Sequence, residues 1–267
     1  MGEEESLAAT SSWYAISANA TLRSQFTTNG SALQSDYVGA GSAFTGLTYF
    51  TASGSPQVLT NTGDFLTATF TLTLDEIDNS ASGFRVGFFN SGGNRLGADL
   101  AGYVAGVAST TDAYTGYVFQ VNPSTREGLL TRRNTSSAGQ QMFGGSTVNL
   151  LGSTAATGGS AISAGNTFVV DFTLTKTATG VSITSTFNGG TYTIGDTASP
   201  YLSFDTFAFF GATAVMTSAT TGPGVGITFD DLALTNAVAI PEPSTFAALA
   251  GLGALGFVAA RRRRPAS

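Results

Sequence analysis

From Phe65 to Leu74 the chain reads F-L-T-A-T-F-T-L-T-L, with Leu66, Ala68, Phe70, Leu72 and Leu74 alternating against Thr67, Thr69, Thr71 and Thr73. A period of two with threonine on the other face describes an antiparallel strand buried on one side. A helix cannot satisfy it, because helical apolar positions recur every three to four residues. The alternation returns at Phe84, Val86 and Phe88, at Phe168, Val170, Phe172 and Leu174, and at Val181, Ile183 and Phe187. Residues 204–210 read as a further apolar strand, and Ile227, Phe229, Leu232 and Leu234 as the last. The pattern slips by one at Asp230-Asp231, which predicts a bulge.

The segments between these runs carry turn chemistry. Asn188-Gly189-Gly190 predicts a tight hairpin, since asparagine and glycine accept positive φ. Tyr117 to Val121 and Leu129 to Arg132 predict another, closed across Asn122-Pro123-Ser124. Residues 13–26 predict a first strand region, 29–43 a Gly/Ser-rich loop around Tyr37, and 47–51 a short strand. Residues 92–115 and 136–165 lack periodicity, and excursions of that length are where a binding surface is expected.

Composition excludes several functions. The 267 residues include no histidine and no cysteine, which removes Ser-His triads, thiolate chemistry, disulfides and the usual zinc sets. Only 10% of residues are charged, so the surface must be largely Ser, Thr, Asn and Gly. Up to Asn236 there are 16 acidic and 7 basic residues, a net of −9, which argues against a nucleic-acid partner.

The C-terminal residues follow different rules. Pro241 and Pro243 bracket Glu242 and disfavour helix, so this stretch is expected to be extended and accessible. Residues 246–260 are uncharged, and a helix of that length spans about 22 Å at 1.5 Å per residue. That is short of a hydrocarbon core of about 30 Å, although arginine stems can extend it by snorkelling. Arg261, Arg262, Arg263 and Arg264 then hold the chain end on the cytoplasmic side, leaving the body outside. Gly251, Gly253 and Gly256 suit a membrane helix that packs closely against another protein.

A Pro-Glu-Pro motif, an apolar helix and an arginine-rich end resemble, in this order, the PEP-CTERM sorting signal of bacterial exosortase substrates. The resemblance implies recognition by an exosortase-like, transpeptidase-like membrane enzyme and cleavage near Pro241, Glu242 and Pro243. It also implies export, transient insertion in the cytoplasmic membrane through residues 246–260, and a final place at the cell surface or in an extracellular matrix with exopolysaccharide. Residues 1–12 carry neither a basic segment nor an apolar one, so a signal peptide is expected upstream of Met1.

Candidate chemistry in the body is sparse. Asp75-Glu76-Ile77-Asp78 resembles the start of the Glu-x-Asp-x-(x)-Glu signature of concanavalin-like retaining glucanases, but Ser80 and Ala81 stand where the second glutamate belongs. A hydrolase would need another carboxylate, such as Asp171 or Asp230, brought to Glu76. Asp75, Asp78 and Asn79, or Asp230 and Asp231, could contribute oxygens to a structural calcium; no other cofactor is expected. Trp13, Tyr103, Tyr114 and Tyr117 are candidate sugar-stacking aromatics, with Arg132 and Arg133 near the last.

The strands around residues 83–90 and 228–235 resemble concanavalin/laminin-G-type jelly rolls. The sequence therefore predicts an all-β chain: a two-sheet antiparallel β-sandwich followed by a C-terminal hydrophobic helix. Residues 1–12 are expected to be disordered or extraneous, 13–235 to form the sandwich, 236–240 a linker and 241–264 the sorting signal. The expected function is that of a non-catalytic exported envelope or matrix protein, with a carbohydrate-binding jelly roll second and a glycoside hydrolase third.

Overall fold

A computed structural model describes residues 5–6, 12–20, 23, 26–29, 32–36, 44–74, 84–103, 109–121, 127–135, 142–143, 148–155, 158–160, 163, 165–211 and 226–237. Its strands, in chain order, are β1 (Glu5–Ser6), β2 (Trp13–Ile16), β3 (Phe26–Asn29), β4 (Ala32–Asp36), β5 (Phe44–Tyr49), β6 (Gln57–Val58), β7 (Phe65–Leu74), β8 (Phe84–Asn90) and β9 (Thr115–Val121). There follow β10 (Glu127–Arg133), β11 (Val148–Ala155), β12 (Thr167–Lys176), β13 (Val181–Phe187), β14 (Gly190–Asp196), β15 (Ser203–Phe204), β16 (Thr206–Gly211) and β17 (Gly226–Ala237). One 3₁₀ turn spans Thr110–Ala113.

Two antiparallel sheets face each other. One runs β14-β13-β12-β7-β17-β4-β3, with β1 also paired to β17; the other runs β11-β10-β9-β8-β16-β5-β2. β15 and β6 form a separate two-stranded pair. Consecutive meanders, β8 to β11 and β12 to β14, build one end of each sheet, while β7, β16 and β17 enter from distant parts of the chain. This is the expected all-β sandwich.

The alternating residues meet between the sheets. Leu66, Ala68, Phe70 and Leu72 of β7 and Phe168, Val170, Phe172 and Leu174 of β12 are buried against Phe84, Val86 and Phe88 of β8 and Phe207 and Phe209 of β16. Phe88 stacks on Phe172 at 5.5 Å, Phe70 meets Phe207 edge-on at 6.0 Å, and Phe209 lies 3.9 Å from Phe229. Such ring pairs add about 0.5–1.5 kcal/mol each beyond the area they bury. The interior is therefore filled largely by phenylalanine.

Local chemistry ends the strands where the sequence predicts. Asn188 (φ 46°) and Gly189 (φ 73°) turn β13 into β14, and Asp231 (φ 51°) sits in the bulge where the β17–β7 register shifts between Asp230 and Ala233. The hairpin of β9 and β10 is present, with Val121 opposite Gly128; the expected turn at Asn122-Pro123-Ser124 lies outside the described residues.

Several expectations need correction. The excursion at 136–165 contains β11, an edge strand whose Leu150 is exposed while Leu151 packs inward, so no clean alternation marks it. The loop placed at 29–43 contains β4, and among the described residues of 13–26 the strand covers Trp13–Ile16, with β3 beginning at Phe26. Residues 204–210 divide at Asp205 into β15, paired with β6, and β16, paired with β5 and β8; the Asp205 amide donates to the Phe89 carbonyl while its side chain receives hydrogen bonds from Ser91. β17 continues to Ala237, into the stretch assigned as linker. Among the described residues no helix is long and apolar enough to cross a membrane, and the expected helix at 246–260 lies outside them.

Close packing leaves no room for a side chain at several glycines, Gly128 among them. A Cβ on Gly128 of β10 would lie 2.3 Å from the Tyr192 ring, whereas one on Gly97 would meet nothing. Gly128→Val is expected to lower stability by about 1–3 kcal/mol in chemical denaturation, with Gly97→Ala changing it by less than about 0.5 kcal/mol.

Candidate functional site

The two outer faces of the sandwich differ. On the eight-stranded sheet, Thr193, Thr184, Thr173, Thr67 and Thr235 lie in one register row across five strands. Neighbouring hydroxyls satisfy one another: Thr67 and Thr173 are 2.9 Å apart, and Thr73 and Thr167 are 2.7 Å apart. Asp171 sits in this face and accepts from Thr69 at 2.7 Å and Thr186 at 3.3 Å. The surface is hydroxylated and nearly uncharged.

Over β2, β5, β8, β9 and β16 the outer face of the seven-stranded sheet is apolar and covered. Ile16, Leu47, Phe89, Val118, Ala208 and Phe210 form a second core with Leu96, Tyr114, Met142 and Phe143. Phe143 meets Phe89 edge-on at 5.4 Å and lies 5.8 Å from Phe210. Part of the 92–115 excursion, expected to offer a binding surface, is thus packed onto the sheet.

Polar side chains tie the cover down. Asp205 accepts from the Ser91 amide at 2.8 Å, the Ser91 hydroxyl at 2.5 Å and the Thr206 hydroxyl at 2.7 Å, and pairs with Arg95 at 3.3 Å. Arg95 lies 4.6 Å over the Tyr49 ring and donates to the Thr51 carbonyl at 2.8 Å. The Tyr49 hydroxyl accepts from the Leu96 amide at 2.6 Å and shares a 2.6 Å bond with Tyr114. Asp99 accepts from the Ala15 amide at 2.9 Å, and Leu100 bridges to Ile16.

A third polar group occupies one end of the sandwich. Asp196 accepts from the Tyr117 hydroxyl at 2.9 Å, from Arg132 at 3.5 Å and from the Ala198 amide at 3.2 Å. Arg132 lies 5.5 Å over the half-buried Tyr201 ring, whose hydroxyl donates to Asn134 at 2.7 Å. Sequence reasoning missed Asp196, Tyr201, Asp205 and Arg95. Asp196 carried a turn signal in G-D-T-A-S-P, but nothing local marks the other three.

The proposed aromatic platform is not assembled as an exposed surface. Tyr114 and Tyr117 are wholly buried, Tyr114 under the cover and Tyr117 in the central core. Trp13 is half-buried, edge-on to Phe207 at 6.5 Å. Tyr103 packs against the second core with its hydroxyl buried. Alternation places Tyr117 and Arg132 on the inward side, and Arg133 on the covered one.

Of the acidic candidates, Asp75, Glu76, Asp78 and Asn79 lie outside the described residues. Asp230 and Asp231 meet at the bulge, where the Asp231 amide donates to the Asp230 carboxylate at 3.0 Å. Among the described residues no group of three or more acidic side chains is placed to hold a metal ion.

Pro241, Glu242, Pro243 and Arg261 to Arg264 also lie outside the described residues, and here sequence comparison decides. Residues 239–264 match the family model described as the PEP-CTERM protein-sorting motif. The chain carries a PEP-CTERM sorting motif.

No curated protein sequence matches the chain as a whole. Among solved structures, the sandwich that precedes the PEP-CTERM motif is similar to the VIP36 exoplasmic/lumenal domain in its Ca²⁺/Man₃GlcNAc-bound form, at 7% identity and a TM-score of 0.47 over 87% of each chain. It is also similar to lectin I-B4 from Griffonia simplicifolia in its metal-free form, at 11% identity and a TM-score of 0.36, over 86% of this chain and 94% of that one. A sialidase is matched at 10% identity and a TM-score of 0.44, over 87% of this chain but only 18% of its own length.

Asp205→Ala would leave the Ser91 amide without its acceptor and Arg95 without its carboxylate partner. Removing one partner from a buried pair costs about 3 kcal/mol or more, so a loss of that size is expected in urea, with faster amide exchange at Ser91 and Leu100. Tyr49, Tyr103, Tyr114 and Tyr117 all have pKa values raised above 10.0, chiefly by burial. Their folded pKa exceeds the unfolded one, so the associated stability is complete below the unfolded value and declines above it. Stability is expected to fall as pH rises past about 10, less steeply in Tyr114→Phe, as read by denaturant midpoints across an alkaline series.

Proposed function

We propose that this is a non-catalytic exported protein of the bacterial envelope or extracellular matrix, sorted and processed through its PEP-CTERM tail. The match at residues 239–264 carries this reading. In it, residues 246–260 form a helix that enters the cytoplasmic membrane, and Arg261, Arg262, Arg263 and Arg264 stop transfer. A membrane enzyme of the exosortase type recognises Pro241, Glu242 and Pro243 and cuts beside them, releasing the body to the surface or to an exopolysaccharide matrix. The proline bracket supports the cleavage role, since it keeps the peptide bonds out of helix. The short span supports a transient membrane stay.

The absence of histidine and cysteine and the missing second glutamate after Asp78 support a non-catalytic body. A second reading, carbohydrate binding, is favoured by one cluster: the half-buried Tyr201 ring beside Arg132, Asn134 and Asp196 combines an aromatic face with planar polar partners.

In a host that processes such tails, Pro241→Ala combined with Glu242→Ala is expected to leave a full-length precursor in the membrane fraction, while the unaltered protein yields a shorter, released form. Mass spectrometry of both fractions reads the result. A variant processed to the same product as the parent would refute the assigned role.

A further inference from the structure

β17, the strand that leads into the sorting tail, is built in two parts. Ile227 to Asp230 pair with β7 on one edge, and Gly226 to Phe229 pair with β4 on the other. The register then shifts at the bulge, and Ala233 to Ala237 pair with Thr69 to Phe65. Within this second part the hold weakens after Leu234. Leu234 belongs to the central core, and β1 pairs with Ala233 and Leu234 on the edge away from β7. Thr235 is half-buried and Asn236 exposed, so neither adds to the core. Among the described residues, only β7 pairs with Thr235, Asn236 and Ala237; a 2.7 Å bond from the Asn236 side chain to Gln57 adds one tie.

Chain length sets a second constraint. Val238, Ala239 and Ile240 are all that separate Ala237 from Pro241. Four residue steps reach at most about 14 Å, whatever their conformation. The strand ends level with Phe65, where the neighbouring turns are tied down. Asp64 accepts from the Thr60 and Asn61 amides at 2.8 and 2.7 Å, and the Gly63 amide donates to the Lys176 carbonyl at 2.8 Å. A membrane enzyme that grips peptide on both sides of a bond near Pro241 to Pro243 must fit one wall of its groove between this rim and the bond. One packed protein layer is about 10 Å thick, which takes up most of that reach.

From this geometry we infer that Thr235, Asn236 and Ala237 belong to the peptide that the processing enzyme binds, and that they leave β7 to enter it. The inference rests on the sorting reading of the tail and adds a hinge at Leu234 to it. Release of the three residues lengthens the reach to about 24 Å, counted from Leu234, and withdraws no member of the described core. It stops there because Leu234 is buried and flanked by both β7 and β1. The enzyme's groove replaces the lost ladder bonds as it takes up the extended peptide, in the manner of partners that bind a strand. Processing is thereby coupled to local opening of the last strand pairs of the body.

The test uses the full chain in a host that processes such tails, followed by pulse-chase. Thr67 and Thr235 face each other across the ladder, and the chain has no cysteine, so Thr67→Cys with Thr235→Cys introduces a single crosslink. Thiol alkylation identifies the crosslinked fraction. That fraction should be shortened about 10-fold more slowly than the parent, and a reductant should restore the parental rate. Inserting about six Gly/Ser residues between Val238 and Ala239 of the crosslinked chain should restore it as well, because the reach then no longer depends on the strand. Parental-rate processing of the crosslinked chain, or no rescue by the insertion, would overturn the inference and leave the sorting reading intact. If no crosslink forms, the insertion in the otherwise unaltered chain decides: faster shortening supports the hinge, and an unchanged rate overturns it. A parent that is never shortened would overturn the sorting reading and this inference with it.

Discussion

A sheet with two dry faces must account for every polar group that points out of it, and the seven-stranded sheet is in that position across β9, β8, β16, β5 and β2. Its inner face packs against phenylalanines of the opposite sheet, and its outer face lies under Leu96, Tyr114, Met142 and Phe143. The side chains that break the apolar pattern there are consequently tethered. Arg85 donates to the Phe143 carbonyl and lies 4.8 Å over Phe210, and Arg95 is held by Asp205 and the Thr51 carbonyl. Burial lowers the pKa of both Arg85 and Arg133. Removing a guanidinium from water is expensive enough that its partners dictate where the covering chain must run.

The eight-stranded sheet solves the opposite problem. Among the described residues its outer face meets water mostly with threonine and serine, with Asp171 held by Thr69 and Thr186, and cross-strand hydroxyl pairs absorb much of the hydrogen-bonding capacity. This allows the 10% charged composition without an exposed apolar surface on that side. Among the described residues, Val169 is the large apolar side chain exposed there.

This difference explains how much could be read in advance. β7, β12 and β13 were legible because one face is buried and the other wet, so burial is written into the sequence with period two. The turn at Asn188-Gly189 was legible because positive φ restricts residue choice, and the bulge because the apolar alternation slips by one at Asp230-Asp231. β4 and β11 were not, because edge and short strands are fixed by backbone pairing more than by side-chain burial. The covered face was invisible for a related reason: Phe88 and Phe89 are both buried, and adjacent apolar residues carry no period. Asp205, Arg95 and Tyr49 come from segments far apart in sequence, so only the fold joins them. The tail was readable from its order of motifs, which depends on no tertiary contact.

β17 is the last described strand before the sorting tail, and it lies inside its sheet. β7 is hydrogen-bonded along one edge, and β4 and then β1 along the other. A force applied to the chain beyond Ala237 therefore loads these ladders in shear, with many backbone bonds sharing the strain at once, instead of unzipping them one by one from an outer edge. The first two-residue strand lies beside Leu234, so the load-bearing strand is clamped by both the beginning and the middle of the body. The sandwich thus resists tension applied at the end of β17.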